Sequence, residues 1–292
     1  MFYYVKLIDG YVNETNHISW YNKTIKFYGC IMNNVNKTLY IPLYGKAFVS
    51  KKGIILHDEK AEEIWSAEGF KLKGKSKSIY LAYYMAMRSA VYDAWLTSKI
   101  KNHPDGVVLH IGCGMDSRIE RIGNSKCKWY DVDFEDVINE RRRYYTENES
   151  YKMIVGDARS CEWLDYIPEN KKAVIIMEGV SMYLKDNEIQ NLFNNLASHF
   201  EHISLLADCY TIKAAKISKH KNPINDVGVT NVYGVDNPEI FTSESVEFVK
   251  EHNMTPQKFI DELHGAEKWI FSKLFAGGFS KKMYRLFEYR SK

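Results

Sequence analysis

Between residues 105 and 210 short apolar runs alternate with longer amphipathic stretches. The runs lie at 107–111, 127–132, 151–155, 173–177 and 203–207, and helix-like segments such as 134–145 and 187–199 fall between them. Apolar positions at helical spacing predict amphipathic helices, and short continuous apolar runs predict strands buried on both faces. Strand and helix at this rhythm predict a mostly parallel sheet covered on both sides, an α/β fold of the Rossmann-like kind. Right-handed crossovers then bring ligands to the carboxyl ends of the strands.

The flanking zones are less regular. Residues 1–100 are rich in Tyr, Asn and Lys and read as mostly helical after about residue 57. Asp58 is placed to cap a helix carrying Ala61, Ile64 and Trp65 that stops near Gly69. Residues 78–98 hold no Gly or Pro and are built from Ala, Met, Leu and Tyr, which predicts one long helix. Beyond residue 211, Thr242 or Ser243 is expected to cap a helix running to about Glu251, and 283–289 alternates as a closing strand. No repeat, low-complexity tract or strong linker appears. The expected organisation is a helical extension or cap over 1–100 and a single integrated α/β unit over 101–292.

Composition narrows the field. The chain has 292 residues, 45% hydrophobic and 26% charged, with six prolines, as in an ordinary globular protein. The apolar runs are too short to span a bilayer, and MFYYVKLIDG has neither the basic start nor the apolar stretch of a secretory leader. A net charge of +3 gives no reason to expect nucleic acid as a partner. The basic clusters at 71–77, 141–143 and 213–221 read as solvated faces. Five cysteines at 30, 113, 127, 161 and 209, without a C-x-x-C, suit reduced thiols and a cytoplasmic location. His199, His202 and Cys209 lack the spacing of a metal site, and no metal is expected.

The chemistry gathers at the strand ends. The first strand runs into His110-Ile-Gly-Cys-Gly-Met-Asp116, where Gly112 and Gly114 allow a tight turn and a close approach of backbone to ligand. The second ends in acids, with Asp133 placed 19 residues after Gly114 to take both hydroxyls of a ribose. The third ends in Val-Gly-Asp157-Ala158. That carboxylate can accept from an adenine amino group while the next backbone N–H donates to the ring. The fourth ends in Met177-Glu178-Gly179. A single acid at a strand end is usually a helix cap. A glycine or acid at each of four successive strand ends points instead to a nucleoside site.

A dinucleotide site calls for a third glycine where Ser117 stands, and a P-loop for a Lys-Ser/Thr pair that is absent. An acid-rich rim suits a neutral sugar and base with a cationic centre, and S-adenosylmethionine (AdoMet) is such a ligand. A nicotinamide-dependent oxidoreductase, and a nucleoside-cofactor-binding protein without catalysis, stay open as alternatives on the residues alone.

HIGCGMDSRIERI, KWYDVDFEDVI, GDARS and MEGVSMYL together resemble the leucine carboxyl methyltransferase family, in particular its bacterial branch of polyketide O-methyltransferases. Leu39-Tyr-Ile-Pro-Leu-Tyr-Gly-Lys46 and the segment around Tyr233 extend the likeness over most of the chain. The resemblance implies a class I AdoMet-dependent methyltransferase with a mostly parallel seven-stranded sheet that ends in one antiparallel strand. It further implies that Arg88 meets the AdoMet carboxylate and that Gly112 lies under the methionine part. Asp133 would hold the ribose, Asp157 and Ala158 would read the adenine, and Glu178 would lie near the amino group. Lys46 is a second candidate for the carboxylate. Asp116 and Arg118 read as a helix cap and a supporting ion pair.

The expected reaction is transfer of a methyl group to a carboxylate or hydroxyl of a small, polyketide-like acceptor, leaving S-adenosylhomocysteine. An ionised carboxylate needs no base, whereas a hydroxyl gains from one. His110, Tyr183 and Tyr210 are the candidates; His110 reads as a core histidine and Tyr183 as a packing residue, so no catalytic residue is assigned.

Overall fold

The computed structural model describes residues 36–69, 72, 74–122, 126–169, 171–221 and 232–292. The opening segment read above for a leader, and Cys30, lie outside them. Among the described residues three α-helices come first: α1 (Tyr40–Lys52), α2 (Glu59–Glu68) and α3 (Ile79–Ile100). Next are β1 (Val107–Ile111), α4 (Arg118–Ile122), β2 (Lys128–Asp133), α5 (Glu135–Arg141) and β3 (Tyr151–Val155). Then follow β4 (Lys172–Met177), α6 (Asp186–His199), β5 (His202–Tyr210) and α7 (Ile212–Lys221). The chain closes with β6 (Val246–His252), α8 (Gln257–Asp261), α9 (Gly265–Leu274), α10 (Gly278–Lys281) and β7 (Tyr284–Ser291).

The strands form a seven-stranded sheet in the order β3-β2-β1-β4-β5-β7-β6. The first five pair in parallel, and β7 runs antiparallel to both β5 and β6. This is the mostly parallel Rossmann-like sheet that the apolar runs predict. Val108, Leu109, Ile175, Leu205 and Phe287 are fully buried at its centre, because helices cover both faces. Residues Asn34–Lys292 make one compact unit.

The predicted caps hold in α2, where Asp58 accepts from the Ala61 N–H and Gly69 takes the left-handed conformation at the C-terminus. In α3 seven successive residues, Ala86, Met87, Arg88, Ser89, Ala90, Val91 and Tyr92, all lie inside. A stretch of helix buried all round has no solvent side for a long cation to reach.

Two segments depart from expectation. Helix α1 lies before residue 57, where the helical zone was expected to begin, and it contains Pro42 and Gly45. Pro42 sits in the first turn, where its missing N–H costs nothing. A Cβ at Gly45 would come within 3.0 Å of the Ala82 carbonyl, so its absence lets α1 lie close against α3. The helix expected from Thr242 to Glu251 is instead strand β6. Ser243 does cap, but it serves a turn, accepting from the Ser245 and Val246 N–H groups. The β-branched and aromatic Val246 and Phe248 then pair with β7. Among the described residues no helix is long and apolar enough to cross a membrane.

Candidate active site

The parallel register sets the site. Ile111 pairs with Val132 and Met177, Asp133 with Val155, and Met177 with Ala207. The residues that follow, Gly112, Asp133, Asp157, Glu178 and Asp208, therefore share the carboxyl edge of the sheet. The strand ends are also tied together, since Gly112 N donates to Val132 O (2.8 Å) and Gly156 N to Asp133 O (2.9 Å).

Gly112 and Gly114 both have positive φ, 67° and 51°. A Cβ on Gly112 would come within 2.2 Å of Val180 Cγ2, so a side chain there would fill the cradle. Arg141 supports the loop from below, donating from Nη1 to the carbonyls of Gly114 (3.0 Å) and Asp116 (2.7 Å) while Nη2 binds Asp131 at 2.5 Å. The sequence reading placed Arg141 in a solvated cluster; it is fully buried, because β2 supplies an inward carboxylate and the loop supplies carbonyls.

Arg88 is 3% exposed and does not reach solvent. Its Nε donates to Glu178 Oε1 (3.0 Å), and Nη1 donates to the Tyr284 hydroxyl (2.9 Å). Its Nη1 also lies 3.1 Å from Asp208 Oδ2. The guanidinium lies alongside Gly179, 3.6 Å from where a Cβ would sit. Glu178 also receives Arg118 Nη2 and Ser89 Oγ. Burial works against its charge, but Arg88 and Arg118 prevail and hold its carboxyl down to about 2, so it stays anionic.

Asp116 has both roles expected of it. Its Oδ1 caps α4 by accepting the Arg118 N–H (2.8 Å), and its Oδ2 pairs with Lys46 Nζ (2.8 Å) and Arg118 Nη2 (3.4 Å). Lys46 is thus carried to the glycine loop by α1, itself 2% exposed. Arg118 and Arg121 share Asp93, and Arg121 reaches Asp58 at 2.5 Å.

Asp133 differs from these acids because no cation pairs with it among the described residues. Its Oδ2 accepts from Gly114 N and its Oδ1 from Phe134 N, each at 2.8 Å. Burial dominates, and the pKa rises to about 6 despite both N–H groups. A half-buried carboxylate with spare lone pairs and no ion-pair partner among the described residues is suited to neutral donors such as sugar hydroxyls.

Asp157 lies at the far end of the row, beside the half-buried Ala158. Both its oxygens are engaged by Arg159, whose Nε contacts them at 2.9 and 3.0 Å. Hydrogen bonds from Arg159 keep its pKa low. A Cβ on Gly156 would strike the Trp163 ring at 2.6 Å, which fixes how closely that indole packs beneath the turn.

Two of the three candidate bases, His110 and Tyr183, are poorly suited to proton abstraction. His110 is buried inside β1 between Arg118 and Asp131, and burial lowers its pKa. Tyr183 is pushed up by burial and donates to Thr38 Oγ1 at 3.4 Å. Tyr210 stacks edge-on against Tyr284, with centroids 4.8 Å apart. The burial of the Cys113 thiol drives its pKa well up, which leaves it unreactive. The sequence reading missed Asp208, which continues the acid series to a fifth strand end, and the Asp58–Asp93–Arg121 cluster, whose members are far apart in sequence.

Residues 33–197 match the family described as Leucine carboxyl methyltransferase, more than half of the chain. The tetracenomycin polyketide synthesis O-methyltransferase TcmP of Streptomyces glaucescens is 27% identical over 246 residues, covering 82% of this chain and 90% of that protein. The S-adenosyl-L-methionine-dependent methyltransferase dpfgK of Gibberella zeae is 26% identical over 187 residues, covering 58% and 62%. Among solved structures, magnesium protoporphyrin IX methyltransferase from Synechocystis PCC 6803 with bound SAH aligns over 80% of this chain and 94% of that one. Its identity to this chain is 12% and its TM-score 0.48.

Proposed function

The chain belongs to the leucine carboxyl methyltransferase family, and from that membership we propose that it moves the methyl group of AdoMet to an oxygen of a small-molecule acceptor. It is an AdoMet-dependent methyltransferase whose product from the cofactor is S-adenosylhomocysteine. The observation that carries the site reading is Asp133: a half-buried carboxylate with no ion-pair partner among the described residues, 2.8 Å from Gly114 N, at the strand end where a ribose is expected.

The residues fit the cofactor. Arg88 Nη2 forms no hydrogen bond with a described residue, which leaves a fork arm for a carboxylate, and Lys46 supplies a second cation nearby. Glu178, anionic beside Gly179, suits the ammonium group. Gly112 and Gly114 leave room for the chain between them. Asp133 takes the ribose hydroxyls, and Asp157 with Ala158 reads the adenine, once Arg159 yields part of its hold. The cofactor supplies an electrophilic methyl group on a cationic sulfur.

The protein's part is to orient. Positioning alone can contribute about 7–11 kcal/mol in favourable displacement reactions. With His110 and Tyr183 unsuited as bases, the arrangement favours an acceptor oxygen that is already ionised, a carboxylate or an acidic phenol. Four described cysteines are free thiols, which agrees with action in the cytoplasm.

Isothermal titration with AdoMet, NAD and ATP tests the cofactor. Binding of AdoMet and S-adenosylhomocysteine without NAD is expected, and binding of NAD alone would overturn the reading. Release of S-adenosylhomocysteine across a panel of carboxylates, phenols and alcohols tests the acceptor; turnover confined to unactivated alcohols would contradict the preference.

A further inference from the structure

Asp208 has no part in the scheme above. It follows Ala207 on β5, in register beside Glu178, and is fully buried. Its Oδ1 accepts from Gly179 N at 2.7 Å, fixing a glycine with φ of 74°. Its Oδ2 lies 3.1 Å from Arg88 Nη1 but has no hydrogen-bond partner, and that Nη1 already donates to Tyr284.

Asp208 also terminates a connected chain of charges. From it the ion pairs run through Arg88, Glu178, Arg118 and Asp116 to Lys46, with Asp93, Arg121 and Asp58 branching off. No side chain in this network is more than 18% exposed. It contains four cations and five carboxylates, so with every group ionised it holds one negative charge in excess. Asp208 is the most poorly paired of the five. AdoMet carries a carboxylate, an ammonium and a sulfonium, a net charge of one; S-adenosylhomocysteine is neutral overall.

We propose that Asp208 is the carboxylate that balances the sulfonium, ionised while AdoMet is bound and protonated once the neutral thioether remains. The inference rests on the reading that this edge binds AdoMet. In the transfer, an acceptor lone pair forms the new C–O bond and the S–C pair stays on sulfur. The sulfonium charge disappears, and a proton from water, or the one given up by a hydroxyl acceptor, adds to Asp208. Asp208 is thereby a specificity residue for substrate over product.

The surroundings allow Asp208 to titrate alone. Arg88 and Tyr92 face it from α3, Glu178 from the end of β4, and Tyr284 from β7; Tyr84 and Tyr183 lie close enough to interact. Burial, reinforced by Glu178, raises Asp208 to about 6 against the pull of Arg88 and the Gly179 N–H. Burial pushes Tyr84, Tyr92, Tyr183 and Tyr284 up, so they stay neutral, and Glu178 at about 2 stays charged.

The test is calorimetric titration of the full chain at pH 6 with AdoMet and with S-adenosylhomocysteine, each in two buffers of different ionisation enthalpy. AdoMet should release up to about one proton more than S-adenosylhomocysteine. Its preference over the product should fall by up to about tenfold per pH unit below 6. Asp208→Asn should abolish the difference and Asp208→Glu should restore it. Equal proton counts for the two ligands in the unmodified protein, or a difference that survives in Asp208→Asn, would overturn the assignment while leaving cofactor binding intact. Failure of both ligands to bind would overturn the cofactor reading and this inference together.

Discussion

Arg88 Nε donates to Glu178 Oε1 across 3.0 Å, joining a helix that precedes the sheet to the end of its fourth strand. The N-terminal helices therefore complete the site rather than merely cover it. Replacing Arg88 acts twice. Arg88→Ala removes a fork arm, takes from Asp208 its ion-pair partner and leaves Arg118 as the one cation on Glu178 among the described residues, which should cost about 3–5 kcal/mol of stability. Lysine keeps the charge but not the fork, so Arg88→Lys should lose most of the affinity that Arg88→Ala loses. The loss should be shared by AdoMet and S-adenosylhomocysteine and be small for 5′-methylthioadenosine, which lacks the carboxylate. Titration beside denaturant unfolding separates the two effects; equal losses for all three ligands would confine Arg88 to the fold.

Asp133→Ala should weaken AdoMet binding by about 1.5–3 kcal/mol, the range for a hydrogen bond to a charged group. The pH dependence has a definite sign. Burial raises Asp133 to about 6, so its accepting, ionised form dominates above that value and is lost below it. Affinity for 5′-methylthioadenosine, which has no charge for Asp208 to sense, should thus fall as pH drops from 7 to 5. The same raised pKa means that the free protein gains no stability from Asp133 at neutral pH: its burial favours the protonated form, and the penalty grows as pH rises from about 4 to 6. A flat binding profile across this range would remove Asp133 from the ribose.

Much of this was readable in the sequence, because periodicity and strand ends are local. The runs at 107–111 and 151–155 coincide with β1 and β3, and the G-x-G and the acids at 133, 157 and 178 all reach one edge. What escaped was decided by tertiary partners. Arg141 looks like a surface cation beside Arg142 and Arg143, yet only Arg141 turns inward, toward Asp131 ten residues earlier. The Thr242–Glu251 segment carries a sound helix-cap signal that the pairing of β6 with β7 overrides. Asp208 needed no new rule, only the extension of the acid series to the fifth strand.

Arg141 offers a direct test of how the glycine loop is held. Its guanidinium joins Asp131, the Tyr151 hydroxyl and the carbonyls of Gly114 and Asp116. A lysine cannot reach all four. Arg141→Lys should therefore destabilise the protein by about 1–3 kcal/mol through unsatisfied buried acceptors. It should also weaken AdoMet binding, although Arg141 itself lies behind the loop. Asp131 is held to about 2 chiefly by Arg141, so the stabilisation it gives is full above about pH 4 and fades as pH falls toward 2. Acid unfolding of Arg141→Lys should lack part of that dependence; an unchanged acid profile would mean that the pair is not what anchors the loop.

Gly112→Ala separates the turn from the cradle. The added Cβ meets two obstacles: φ of 67°, and Val180 Cγ2 at 2.2 Å. The first costs about 1–2 kcal/mol for a residue with a side chain, whatever its neighbours. The second can be relieved, because Val180 Cβ lies 3.5 Å from the new atom and Val180→Ala would leave ordinary contact. Gly112→Ala with Val180→Ala should therefore regain the overlap part of the lost stability and retain the backbone part. Binding should behave differently. If the space above Gly112 receives the methionine part of the cofactor, the methyl group still occupies it in the double variant. AdoMet affinity should then remain low after stability has recovered. Affinity that recovers in step with unfolding free energy would show that Gly112 serves only the turn.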